Sequence, residues 1–182
     1  MDIVFILDLS GSEEDYYALV MDFTSRVIYG LPVDSGMVRV GIVSYADNAI
    51  VNAYLDSYTT MEQIQNSLAF SFDGGRTNTQ GALRLAYESV FGGQRGDRPD
   101  TPNIAIVLTD GNSNVQQDRT IPEAVNARQR GTQMYVVAMG TGINANEING
   151  IASANVTDHV VYVQNSTAVA GAASTLLGWL CQ

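Results

Sequence analysis

The feature that most constrains this chain is its alternation of two patterns. Short β-branched apolar runs take turns with longer stretches whose apolar residues recur every third or fourth position. The run at 3–7 (Ile3, Val4, Phe5, Ile6, Leu7) has no polar member. A helical pattern follows over 13–29, with Tyr16, Leu19, Val20, Phe23 and Val27 on one face. Glu13, Glu14 and Asp15 crowd its first turn, where the helix dipole favours acids, and Gly30 and Pro32 stop it. Further strands are predicted at 38–44, 49–53, 104–108, 134–139 and 160–163. Further helices are predicted at 61–68, 80–90, from near Ile121, at 145–153 and at 167–180. Asp47-Asn48 joins the second and third strands as a hairpin, so one edge strand is antiparallel. The all-apolar run 104–108 suits a strand buried on both faces. Strands and helices alternating at this spacing imply an α/β fold: a doubly wound, mostly parallel six-stranded sheet with one antiparallel edge strand and helices on both faces.

A length of 182 residues suits one domain, and residues 2–181 carry no internal repeat, linker or low-complexity segment. The chain enters a strand almost at once. That start leads us to expect a piece of a longer multidomain protein, with Met1 an added start. No apolar run approaches the roughly 18 residues of a membrane span, and no signal peptide is visible.

Composition removes much chemistry. All nine basic residues are Arg, so a P-loop lysine, a Schiff base and a Ser–Lys pair are excluded. One His (His159) and one Cys (Cys181) exclude a His/Cys zinc site and an internal disulfide. Nineteen acids give a net charge of -10, which argues against nucleic acid and suits hard cations or cationic partners.

In open α/β sheets, ligands bind beyond the carboxyl ends of the strands, where the winding reverses. The first strand runs into Asp8-Leu9-Ser10-Gly11-Ser12. The strand at 104–108, its expected neighbour, runs into Thr109-Asp110-Gly111. The glycine-rich loop around Thr77 can reach the same crevice. Asp8, Ser10, Ser12, Thr77 and Asp110 offer only oxygen, a set that fits Mg²⁺ and leaves a coordination position open. Alternate residues leaving a strand can turn toward one point, with Leu9 facing the core and Gly11 letting the backbone bend. Each feature also has a plain explanation: Ser12 as a helix cap, Asp110-Gly111 as a turn, Thr77 as loop.

The stretches 2–12 (DIVFILDLSGS), 40–45 (VGIVSY), 74–79 (GGRTNT) with Gly81-Ala82-Leu83, and 106–111 (IVLTDG) resemble the von Willebrand factor A domain family, in the family's order. The resemblance implies a metal-ion-dependent adhesion site. Ser10 and Ser12 would bind the ion directly, Thr77 directly in the ligand-ready state, and Asp8 and Asp110 largely through water. Thr79 is the rival for the role of Thr77. Leu9 departs from the small Gly that many members carry.

Other features stand apart from this site. Arg95-Gly96-Asp97 spells an integrin-recognised tripeptide in an exposed loop that also suits an ordinary turn. Asn155-Val156-Thr157 and Asn165-Ser166-Thr167 are glycosylation sequons. Cys181 would pair with a cysteine outside this chain, as in matrix A domains. His159 and Trp179 read as structural.

The function expected is a metal-dependent adhesion or protein-binding module of the extracellular matrix or cell surface, and no enzyme. Its partner, collagen or another matrix protein, would supply an acidic residue to Mg²⁺, with Mn²⁺ and Ca²⁺ as alternatives. Neither nucleic acid nor membrane insertion is expected, and neighbouring domains of the parent chain are. The alternative is a structural matrix module binding collagen or mineral through its acidic surface, with the metal only stabilising. A hydrolase using the same ion lacks a general base.

Overall fold

The structure, a computed structural model, describes residues 1–11, 14–71 and 74–181. Ser12 and Glu13 therefore lie outside the described residues. In chain order the elements are β1 (Asp2–Asp8), α1 (Glu14–Tyr29), β2 (Arg39–Tyr45), β3 (Ala49–Ala53), α2 (Met61–Ser67), α3 (Thr79–Leu85, continued by a π-helical turn Ala86–Val90), β4 (Asn103–Thr109), α4 (Thr120–Gln129), β5 (Gln133–Met139), α5 (Ala145–Ile151), β6 (Val160–Val163) and α6 (Val169–Leu180). The strands form one six-stranded sheet in the order β3-β2-β1-β4-β5-β6. Every pairing is parallel except that of β2 with β3.

β1 is apolar throughout its middle because it divides its side chains between two cores. Ile3, Phe5 and Leu7 pack with Val20, Phe23 and Val27 of α1 and with Val169 and Leu176 of α6. Val4 and Ile6 pack on the other face with Leu83, Ala124 and Ile148. All five strand residues are fully buried. Each contributes about 1.5–3 kcal/mol relative to exposure. The chain therefore leaves β1 toward one face, through α1, and leaves β4 toward the other, through α4. The crevice between these departures is the point of reversal at which ligands bind in such sheets.

Element ends moved by a residue or two. β2 and β4 each extend one residue beyond expectation, to Tyr45 and Thr109, because both side chains are buried. The closing helix starts at Val169 rather than 167. Asn165 instead caps a short 3-10 turn, its side chain accepting from the Thr167 amide.

Both ends of β1 carry a buried acid. Asp2 is fully buried and meets the Arg98 guanidinium, whose Nε and Nη2 lie 2.9 and 2.6 Å from Asp2 Oδ1. Asp8, at the other end, is 2% exposed. Among the described residues it has no basic partner in any of the ion pairs.

Candidate metal-ion site

Among the described residues Asp8 is held by neutral donors alone. Its Oδ2 accepts from Thr109 Oγ1 at 2.8 Å, and its Oδ1 accepts from Ser10 N at 3.1 Å and Ser10 Oγ at 2.5 Å. Burial pushes its carboxyl up to about 6, against the pull of these hydrogen bonds, and the charge of nearby Asp110 adds to the rise. A buried carboxylate of this kind is costly unless a positive charge joins it.

Three loops converge on it. Ser10 Oγ lies 2.8 Å from Thr77 Oγ1, although 67 residues separate them. The second loop is tied to the first by Gly74 N donating to Leu9 O. The third carries Asp110, whose Oδ1 accepts from the Asn112 amide at 2.9 Å. Gly111 follows at φ +79°, and a Cβ there would stand 2.9 Å from Asn144 O. Together Asp8, Ser10, Thr77, Asp110, Asn112 and Asn114 line a cavity of about 490 Å³.

The donors fit a hard divalent cation. Neighbouring oxygens of an octahedral Mg²⁺ at about 2.1 Å lie about 3.0 Å apart, near the Ser10–Thr77 separation of 2.8 Å. Among the described residues no three His, Cys, Asp or Glu side chains gather at one point. The cavity gathers instead two carboxylates and the hydroxyls of Ser10 and Thr77.

Thr79, the rival to Thr77, is fully buried, and its hydroxyl donates to the Tyr45 hydroxyl at 3.3 Å. Leu9 is buried in the core, so its bulk stays out of the cavity. Sequence reasoning missed Thr109 as the inner anchor of Asp8. It also missed Asn114, whose Oδ1 accepts from Thr77 N at 2.9 Å. Thr109 carried a usable signal, since the last residue of a buried strand must satisfy a buried hydroxyl locally. Asn114 carried none, because its partner is 37 residues away.

The remaining candidates lie elsewhere. The Arg95-Gly96-Asp97 turn is tied to the body of the domain. Arg95 stacks 4.1 Å over the Tyr54 ring, Gly96 O accepts from Arg39 Nη1, and Asp97 Oδ2 accepts from Gly93 N at 2.8 Å. Asn155 and Asn165 are both exposed. His159 stacks on Tyr135 at 4.8 Å, and its Nδ1 lies 3.0 Å from Asn155 O, so Nδ1 carries the proton. Trp179 packs against the core, and Cys181 is exposed with a free thiol.

Residues 2–175 match the sequence model of the von Willebrand factor type A domain. The chain belongs to that family. This A domain is 29% identical over 183 aligned residues, its whole length, to 18% of the collagen alpha-1(XXI) chain of Xenopus laevis. It is 28% identical over 185 aligned residues, again its whole length, to 36% of matrilin-1 of Gallus gallus. In fold it is similar to proximal thread matrix protein 1 from the mussel byssus with a zinc-occupied MIDAS motif. That likeness has a TM-score of 0.88 at 21% identity and covers 99% of this chain and 48% of the other. The chain thus spans about a third or less of these curated relatives, which are matrix proteins.

Proposed function

We propose that this A domain holds a divalent cation through Asp8, Ser10, Ser12, Thr77 and Asp110 and, through it, captures an acidic side chain of a partner protein. The observation that carries the proposal is the buried Asp8 carboxylate, which accepts from the Ser10 and Thr109 hydroxyls, has the Thr77 hydroxyl beyond Ser10, and meets no basic side chain among the described residues. Ser12 enters on the Asp-x-Ser-x-Ser pattern alone. When bound, a divalent ion supplies the missing positive charge and offers open coordination positions to a carboxylate. Two carboxylates neutralise its charge, so an incoming acid meets no net negative site. Thr109 keeps Asp8 turned toward Ser10, and the Asn112 amide keeps Asp110 at the cavity. Mg²⁺ fits the all-oxygen set first, with Mn²⁺ and Ca²⁺ as alternatives.

The collagen and matrilin relatives support a place in the extracellular matrix or at the cell surface, with collagen or another matrix protein as partner. Exposure of Asn155 and Asn165 supports glycosylation of both. Met1 and Leu180 line one cleft, which supports pairing of the adjacent Cys181 with a cysteine outside the chain. On this reading residues 2–181 are one module of a longer protein. The test is capture of immobilised collagens and other matrix proteins with Mg²⁺ or with EDTA, by wild type and Asp110→Ala. Binding should require both the ion and Asp110. Binding that ignores EDTA and Asp110→Ala but fades with salt would instead favour the acidic-surface module.

A further inference from the structure

Thr77 reaches Ser10 from the far side of the cavity, and the third loop, rather than its own, holds it there. The Thr77 amide donates to Asn114 Oδ1 at 2.9 Å, and the Thr77 carbonyl accepts from Asn114 N at 3.1 Å and Val115 N at 3.2 Å. Both backbone polar groups of Thr77 are thus satisfied by one dipeptide. That dipeptide is itself braced from below. Ser113 donates its amide (3.2 Å) and its hydroxyl (2.5 Å) to the two oxygens of Glu147, a carboxylate only 4% exposed. Ser113 Oγ also lies 3.0 Å from Thr120 Oγ1. Asn144 N donates to Asp110 O, so the head of α5 carries both ends of the loop. A lone buried carboxylate is worth its cost where it fixes a backbone that something else depends on.

From this arrangement, and resting on the metal-site reading above, we infer that Asn114 is a positioning residue. Its side-chain oxygen sets the Thr77 peptide so that the Thr77 hydroxyl stands beside Ser10 as a ready cation ligand. Asn114 is exposed at the cavity rim, so its truncation spares the core.

The test uses Mn²⁺ alone as the probe. Its dissociation constant and the water-proton relaxivity of the loaded domain are measured for wild type, Asn114→Ala, Asn114→Asp, Thr77→Ala and the Asn114→Ala/Thr77→Ala double variant. Asn114→Ala should weaken Mn²⁺ binding roughly fivefold, the worth of one hydrogen bond. Its relaxivity should rise as water takes the place of the Thr77 hydroxyl. Melting of the metal-free domain should move by no more than about 2 °C, the effect of a surface change. Asn114→Asp keeps the acceptor and should show relaxivity no higher than wild type. Thr77→Ala should match the rise, and the double variant should add nothing to it. Wild-type affinity and relaxivity in Asn114→Ala, or effects that add to those of Thr77→Ala, would overturn the inference and leave the metal-site reading standing. A wild-type domain with no saturable Mn²⁺ binding would overturn both.

Discussion

Asp8→Asn should stabilise the metal-free domain at neutral pH and abolish its stabilisation by metal. Asp8 is 2% exposed, and its carboxyl sits at about 6 rather than 3.8. A rise of roughly two units disfavours the charged form by about 3 kcal/mol. Asparagine keeps the shape and the oxygen that faces Ser10. Its amide, however, must donate to Thr109 Oγ1, which now donates to Asp8 and also accepts from Gly111 N. Reversing that bond consumes part of the gain, leaving about 1–2 kcal/mol, or about 3–6 °C of melting temperature. The sign follows from the raised folded-state value. The wild-type increment is fully present below about pH 4 and is lost as pH rises through about 6, where the buried group ionises. Thermal melts in EDTA should therefore show the variant about 1–2 kcal/mol below wild type near pH 4, where only the reversed bond counts, and about 1–2 kcal/mol above it near pH 7.5. Saturating Mg²⁺ should reverse the order at the higher pH. A variant less stable than wild type by the same margin at both pH values would refute the idea that the Asp8 charge lacks a partner.

Other outcomes are expected. Mn²⁺ or Mg²⁺ at about 100 times its dissociation constant should add about 2.7 kcal/mol to wild-type stability in melts. Its affinity, by calorimetry, should fall about tenfold per pH unit below about 6, as the proton competes for Asp8. Arg98→Met strands the buried Asp2 and should cost about 3–5 kcal/mol in urea denaturation, with Mn²⁺ affinity unchanged at the far end of β1. Gly111→Ala forces a side chain to φ +79° against Asn144 O; it should cost about 1–3 kcal/mol and weaken Mn²⁺ binding. Asp97→Ala should leave attachment of cells through Arg-Gly-Asp receptors unchanged, because the Asp97 carboxylate is already bound to Gly93.

The sheet order was legible because each strand announces itself. Ile3 to Leu7 alternate between two cores, so no polar residue is tolerated there, and Asp47-Asn48 marks the one reversal. That Asp8, Ser10 and Asp110 share one cavity was legible because strand ends at a winding reversal are the places where polar groups converge. Thr77 was separable from Thr79 only by context in sequence; in the structure Thr79 is consumed by Tyr45. The supports were hidden. Asn114, Ser113 and Glu147 act across 34 to 37 residues through loop geometry that no periodicity encodes. The Arg-Gly-Asp tripeptide shows the reverse: its letters suggest a presented motif, while Tyr54, Arg39 and Gly93 tie each of its residues down.

The most direct test is an anomalous-difference map from crystals of the domain soaked in Mn²⁺. One strong peak within bonding reach of Ser10 Oγ and Thr77 Oγ1, and facing Asp8 and Asp110, is the predicted result. A loaded crystal with its manganese elsewhere, or with none in the cavity, would contradict the claim that these oxygens are gathered to hold a cation.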